Sequence, residues 1–460
     1  MLTGAGGTRE KRNQTFDSDL PPPPEQPKQG TFASLRIRNY RLFFSGQIIS
    51  NVGTWMNRIA QDWLIFTLTG NNPVALGVAA ALQFAPTLFL SLYAGVLADR
   101  LDKRKLLIAL QAAMAGCAVI LGVLDVSGWV EVWHVYVLCF VFGCFVALET
   151  PVRQSFTSEM VGIAQITNAV ALNSSSFNLA RVVGPAVAGV LIIWVGTGTV
   201  FLINAVTTIA VITGLLMMRP SELHRGPAVP RGKGQLREGL RYVRGRPDLV
   251  VVLALVFSVS TFGITFFTTL AIMAANVFHK EADGYGLLST MLAVGTLAGA
   301  LLAARRSVRG TPRLRMVFGS ALLFGVLEIG AGLMPTYLSF ALALIPVGLV
   351  LMTFMNTANT TVQMSVDQEM RGRVMGLYML AFLGGNPIAG PMSGWLADQF
   401  GGRTTFFFGG AVSILAVLVL GLILRWRTRA GVTLPVEDRS AVQGDVHGTL
   451  RQEKGGAAQT

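Results

Sequence analysis

The sequence predicts an all-α integral membrane protein with twelve transmembrane helices in two pseudo-symmetric six-helix bundles. Three observations lead there: long apolar runs recur along the chain, basic residues sort to alternate loops, and the second half repeats features of the first. Of 460 residues, 52% are apolar and only 13% charged, about half the charged share of an ordinary soluble domain. Most of the surface therefore cannot face water. The 51 glycines suit membrane helices, where small residues let backbones approach. A soluble chain of this length would need two cores, because a single core stops growing near ~250–300 residues, and it would have to hide every apolar run.

A spanning helix needs about 20 mostly apolar residues. Such runs occupy 42–69, 74–98, 106–125, 133–152, 167–194 and 199–218, then 249–277, 285–304, 316–333, 337–358, 374–398 and 404–424. Turn residues separate them, as in Gly70-Asn71-Asn72-Pro73 and Gly196-Thr197-Gly198. Residues 1–33 are polar, carry PPPPEQPKQG at 21–30 and lack the apolar core of a signal peptide. This tail and residues 430–460 are expected to be disordered. The first bundle then runs over 34–218, a basic interval over 219–248 and the second bundle over 249–429.

Lysine and arginine number seven, four, one, eight, five, two and six from the N-tail through the even-numbered loops to the C-tail, 33 of the 37 in the chain. Lys280 and Arg403 alone fall on the opposite side. Positive residues stay in the cytoplasm, so both termini and the 219–248 interval are expected there. The net charge of +13 is then an orientation signal, and nucleic acid is not an expected partner. Within the interval, QLREGLRYVRGR (235–246) predicts a short amphipathic helix on the anionic inner leaflet. SLRIRNYRLFF (34–44) occupies the matching place before span one.

The halves resemble each other further. RQSFTSEMV (153–161) follows span four, and VQMSVDQEMRGRVMG (362–376) follows span ten. Gly184-Pro185 in span five has its counterpart in Gly390-Pro391 in span eleven. A proline inside a helix frees a carbonyl and favours a kink, while glycine permits close packing. Parallel repeats of this kind are a known transporter plan.

Mid-bilayer charge costs at least a few kcal/mol, so its position is informative. Only Arg58, Asp62, Arg181 and Glu328 lie well inside spans. Gln47, Asn51, Thr54, Arg58 and Asp62 recur at steps of three and four and share one helical face. Ser174, Asn178, Arg181 and Pro185 do the same in span five. Two polar faces in one half must border a cavity or each other; an Arg58–Asp62 or Arg181–Asp62 pair that only joins helices would also satisfy them. Milder polar groups are Ser258, Thr261, Thr265 and Thr268 in span seven, Asn356 and Asn359 in span ten, and Asn386 in span eleven.

Catalytic and cofactor signals are absent. His134, His224, His279 and His447 are scattered, Cys117, Cys139 and Cys144 lie in apolar runs, and no GxxxxGK[ST] loop occurs. No metal or cofactor is expected, nor is an enzyme. What remains is a carrier driven by an ion gradient.

Between spans two and three the chain reads GVLADRLDKRK (95–105). This resembles the signature loop of the major facilitator superfamily, G-x-x-x-D-R-x-G-R-R/K. Gly95, Asp99 and Arg100 match; Asp102 stands for the usual glycine, Lys103 for the usual arginine, and Arg104 keeps the final base. LTGNNPVALGVAAALQFAPTLFLSLYAG (68–95) and ETPVRQSF (149–156) are similar to the twelve-span drug–proton antiporter branch, which includes macrolide and enterobactin exporters. RVVGPAVAG (181–189) is similar to the glycine series of the antiporter motif, with Ala188 at one glycine position.

The resemblance covers roughly 34–425. It implies a monomeric bacterial plasma-membrane carrier of small molecules, with spans one, four, seven and ten around a central cavity. The leading expectation is a proton-coupled exporter of amphipathic compounds. A polar-nutrient importer or uniporter is the alternative, and a non-transporting sensor or scaffold a remote one. Asp62 is the expected proton carrier, with Arg58 and Arg181 beside it and Glu328 as its rival. Asp99 is expected to face the start of span eleven as part of a cytoplasmic latch, and Glu149 to pair with Arg104 or another base of that loop.

Overall fold

The computed structural model describes residue 30 and residues 32–224, 235–307 and 314–429. The predicted tails, apart from residues 30 and 32–33, and residues 225–234 of the 219–248 interval lie outside the described residues.

Almost every described residue is helical. A 3-10 turn, Ala33–Arg36, leads into α1 (Arg38–Thr69), α2 (Pro73–Arg100) and α3 (Lys103–Val126). The helical path Val132–Leu216 leaves helical geometry at Gly162 (φ 69°) and Gly196 (φ 79°). Both torsions suit glycine alone, and they divide the path into α4 (132–161), α5 (163–195) and α6 (197–216). Next come α7 (Gln235–Arg244), α8 (Pro247–Val277), α9 (Ala282–Ser307), α10 (Leu314–Gly332) and α11 (Tyr337–Ser365). Predicted span eleven is two helices, α12 (Arg371–Leu383) and α13 (Asn386–Phe400), parted at Gly384-Gly385; α14 (Arg403–Arg429) ends the described chain.

Among the described residues nine segments are long and apolar enough to cross a membrane. One of them, Ala164–Leu216, is folded back at Gly196. Two more stretches join the same bundle without meeting that test: α1, because Gln47, Asn51, Asn57, Arg58, Gln61 and Asp62 interrupt its apolar run, and α12–α13, because of the glycine break. A helical stretch thus stands at every predicted span.

Short-range chemistry sets the boundaries. Asn72 caps α2, accepting from Val74 N at 2.8 Å and Ala75 N at 3.2 Å, with Pro73 in the first turn. Gly70 ends α1 in the left-handed region. Asp102, the departure from the signature loop, caps α3 by accepting from Lys105 N at 3.1 Å. A helix start gains from an acidic cap what a glycine cannot supply.

Span seven is the irregular one. Within α8 the α-helix gives way to π-helical turns at Val259–Gly263 and Met273–Val277, with a break at Ile264-Thr265. Such turns leave ladder groups unmatched and concentrate where helices serve function.

The lipid-facing surface carries exposed Leu, Val and Ile along most helices, and exposed Trp129, Trp133, Trp194 and Trp426 near helix ends. The pattern fits a hydrocarbon belt edged by aromatic groups.

The matching segments before the two bundles are both tied to their bundle. In residues 34–44, Ser34, Asn39, Tyr40 and Phe43 are buried. The Tyr40 hydroxyl donates to the Ala169 carbonyl at 2.9 Å, and Asn39 Nδ2 donates to the Arg219 carbonyl at 2.9 Å. In the second half α7 forms where the amphipathic pattern places it. Its Tyr242 hydroxyl donates to Asp367 at 2.9 Å, and Glu238 pairs with Arg373 at 2.9 Å. Arg246 at its foot donates to both Asp248 oxygens, at 3.0 and 2.7 Å. That bidentate grip holds the guanidinium above its already high pKa.

The halves of the chain meet along two seams. In one, α2 lies on α13: a Cβ built on Gly77 would stand 2.5 Å from the Gly390 carbonyl oxygen and 2.9 Å from Pro391 Cα. In the other, α5 lies on α9: a Cβ on Gly286 would stand 2.4 Å from the Pro185 carbonyl oxygen, while one on Gly184 would stand 2.5 Å from Trp55 Cβ of α1, within the first half. Each repeated Gly-Pro pair thus offers its backbone to a glycine of the other half. At Pro185 the backbone torsions stay helical, since the only non-helical torsions in that path are at the two glycine corners.

Both seams sit toward the end of the bundle that holds Asn71. There Asn276 Nδ2 donates to the Asn71 carbonyl at 3.0 Å, and Gly394 packs on Pro73. At the opposite end a Cβ on Gly372 or Gly376 would meet no neighbour within 4 Å. Among the described residues the bridges between halves cluster at the Asn71 end.

Candidate functional site

The polar face of α1 divides into two groups. Toward its start, Gln47 Nε2 donates to Asn51 Oδ1 at 2.8 Å, and Asn51 Nδ2 donates to Ser176 Oγ of α5 at 3.1 Å. Gln47, Asn51 and Ser176 are buried, so Asn51 joins helices and does not line an open cavity. Asn178 is half-buried and returns its amide to the Ser174 carbonyl at 2.8 Å.

The second group is Arg58 and Asp62. Arg58 Nε donates to Asp62 Oδ2 at 3.1 Å, with the carboxylate side chain only 1% exposed. Arg58 Nη1 also donates to Gln83 Oε1 of α2, which Gln61 Nε2 approaches at 3.3 Å. The guanidinium faces the Phe84 and Phe267 rings at 5.8 and 5.3 Å from their centroids, so apolar faces and one amide replace its hydration. From the other half, the Tyr285 hydroxyl of α9 donates to Asp62 Oδ2 at 2.9 Å. Asp62 Oδ1 is buried without a partner. One carboxylate oxygen therefore gathers an arginine of its own helix and a tyrosine of the opposite half.

Arg181 stands apart from this pair. Among the described residues it makes no ion pair; its guanidinium lies over the Trp55 ring, 5.7 Å from the centroid. It lines a narrow crevice with Trp55, Phe266, Phe267, Leu270 and Ser289. The expected contact of Arg181 with Asp62 is not made.

Glu328 of α10 is buried at 3% exposure, with Oε2 unpartnered. Its carboxyl fills the space that glycines leave: a Cβ on Gly409 would stand 2.7 Å from Oε1, and one on Gly263 would stand 3.3 Å from Oε2. It thus lies between α10, α14 and the π-helical turn of α8. None of the four intraspan charges except Arg58 and Asp62 is brought to another.

The loop between α2 and α3 corrects one expectation. Glu149 pairs with Arg153 one turn along its own helix at 2.9 Å and accepts from Gln111 Nε2 at 3.3 Å. Arg104 instead donates to the Leu215 and Leu216 carbonyls at 2.6 and 2.8 Å. The end of α6 presents unsatisfied carbonyls and the negative pole of its dipole, a stronger local demand than a carboxylate already served by Arg153. Lys103 pairs with Glu159. The backbone of Gly95, Asp99 and Arg100 is helical, but their side chains lie outside the described residues, and the placement of Asp99 against span eleven with them.

Sequence reasoning missed Gln83, Tyr285, Trp55 and Ser289. Gln83 was visible as an amide inside an otherwise apolar run. Tyr285 was not, because it opens span eight as an ordinary interfacial tyrosine.

The bundle, its glycine seams and a buried ion pair at the meeting of two halves define a membrane carrier of the major facilitator type. Residues 29–455 match the family model described as transmembrane secretion effector, and the chain belongs to that family of major facilitator transporters. It is 27% identical to the staphyloferrin A transporter of Staphylococcus aureus over 84% of this chain and 96% of that one. Macrolide efflux protein A of Streptococcus pyogenes is 24% identical, covering 84% and 97%. The multidrug efflux pump Tap of Mycobacterium tuberculosis is 26% identical, covering 79% and 88%.

Among solved structures, an inward-facing bacterial homolog of the human lysosomal transporter Spinster superposes with a TM-score of 0.65 at 14% identity, covering 84% of this chain and 94% of that one. The POT family transporter PepTSo superposes with a TM-score of 0.67 at 14% identity, covering 85% and 99%. The chain is a multi-pass membrane transporter, not an enzyme, and its bacterial relatives place it in the plasma membrane.

Proposed function

We propose that the protein exports amphipathic small molecules from the cytoplasm by proton antiport and alternating access. The positive-inside rule assigns the Gly162 corner, α7 and both tails to the cytoplasm, so in this reading the Asn71 end, where the bridges between the halves cluster, faces outward. The efflux activities named for two relatives support export over import.

One observation carries the reading: Asp62 accepts from Arg58 of its own half and from Tyr285 of the other. Charge on Asp62 holds the outer end of the seam shut. Substrate that wedges between the halves parts Tyr285 from Asp62 and exposes the carboxylate to the outer side. A proton bound there cancels the charge that attracts Arg58, and the reset bundle releases it inward.

Inverted membrane vesicles test this directly, with dyes, macrolides and siderophores offered with and without an inside-acid gradient. Uptake that collapses when the gradient is dissipated is expected. Uptake indifferent to the gradient, or none across the panel, contradicts it.

A further inference from the structure

We propose that Arg181, Trp55 and Ser289 form a recognition site for a carboxylate on the transported molecule, so that the favoured substrates are amphipathic anions. The inference rests on the transport reading above and narrows its substrate class.

The charge balance along the seam points there. Arg58 and Asp62 neutralise each other at 3.1 Å. Among the described residues Arg181 has no anionic partner, only the Trp55 ring. Arg181 is only partly exposed, and a guanidinium set among apolar side chains within a span without a counter-charge is a costly arrangement. It persists where a ligand supplies the missing charge.

Two more residues lining the same crevice carry buried donors. Trp55 Nε1 and Ser289 Oγ are both buried without a hydrogen-bond partner, and both residues line the crevice with Arg181. An indole N–H can only donate, a guanidinium can only donate, and a serine hydroxyl can do so. Three unmet donors on three helices, α1, α5 and α9, match an acceptor-only group. A carboxylate offers two oxygens, and a guanidinium can take both in its planar fork.

The rest of the lining, Phe266, Phe267, Leu270 and Leu292, suits an apolar or aromatic body. Ser174 and Asn178 continue the Arg181 face of α5 toward the Gly162 corner, which gives a polar approach. Ser289 lies one turn from Tyr285 on α9, so an anion seated at Arg181 presses on the contact that closes the seam.

The test uses purified protein in lipid nanodiscs and a matched probe pair, 2-naphthoate and 2-naphthamide, followed by calorimetry. The two share shape and aromatic body and differ in charge. In the wild type 2-naphthoate should bind at least about tenfold more tightly, the worth of one charge-assisted contact over a neutral one. Arg181→Gln should erase that preference and Arg181→Lys should keep part of it; Ser289→Val should weaken 2-naphthoate alone.

Equal binding of the two probes by the wild type, or binding of neither, overturns the anion site. So does a preference that survives Arg181→Gln. The outcome is separable from the transport reading: gradient-driven uptake of a cationic dye by wild-type vesicles can persist when the probe pair shows no preference. Conversely, the preference can hold in a protein whose uptake ignores pH.

Discussion

Asp62 and Glu328 are both carboxylates buried inside the bundle, and their surroundings differ in kind. Asp62 is reached by Arg58, itself bound to Gln83, in its own half and by Tyr285 from the other. Glu328 has no cation beside it among the described residues and sits in the hollow left by Gly263 and Gly409, within the second half alone. A charge that two rigid bodies share reports on their separation. A carboxyl enclosed within one body does not. Position in the span would have ranked the two acids alike; partners across the seam distinguish them.

The comparison breaks most easily at the ion pair. Arg58→Leu leaves a buried carboxylate with one hydroxyl, and losing one partner of a buried pair costs about 3–5 kcal/mol. The purified variant should melt well below the wild type. Arg58→Leu combined with Asp62→Leu removes both charges and should recover most of the loss. A double variant no more stable than the single would show that the pair is not what holds this region.

Tyr285→Phe is a gentler cut, deleting the hydroxyl that crosses the seam. Hydrogen bonds within membrane bundles average only about 0.6 kcal/mol, with a ceiling near ~1.7, so the fold should survive. The conformational balance should move: a single cysteine introduced at Thr69, near the outer end, should react faster with an impermeant thiol reagent in Tyr285→Phe than in wild type. An unchanged rate would remove Tyr285 from the closure.

Glu328→Gln should do least. The amide fits the same hollow, so stability within about 1 kcal/mol of wild type is expected, with uptake that still follows the pH gradient. Loss of coupling in this variant would transfer the proton site from α1 to α10.

Much of the fold was legible because the bilayer allows few alternatives: long apolar runs must be helices, and basic loops fix their side. Local breaks were harder. The Gly384-Gly385 parting of span eleven and the π-helical turns of span seven arise where Thr261 packs against Gly385 and where Glu328 meets Gly263. Those are tertiary contacts that no window of sequence contains.

The site was half legible. Arg58 and Asp62 stood out by their cost in a bilayer and their spacing of four. Their cross-seam partner is 223 positions away, and periodicity carries no information at that range. The Glu149–Arg104 expectation failed for a related reason. Charge alone suggested a carboxylate for Arg104, while the open carbonyls at the end of α6 are invisible in sequence.

The central claim is that the charge state of Asp62 couples proton movement to the seam. Its most direct test is uptake into inverted vesicles by Asp62→Asn beside the wild type, with substrate binding measured on the same membranes. The account predicts that Asp62→Asn binds substrate as the wild type does yet gains nothing from an inside-acid gradient. Uptake by Asp62→Asn that rises with the gradient as steeply as in the wild type would contradict it.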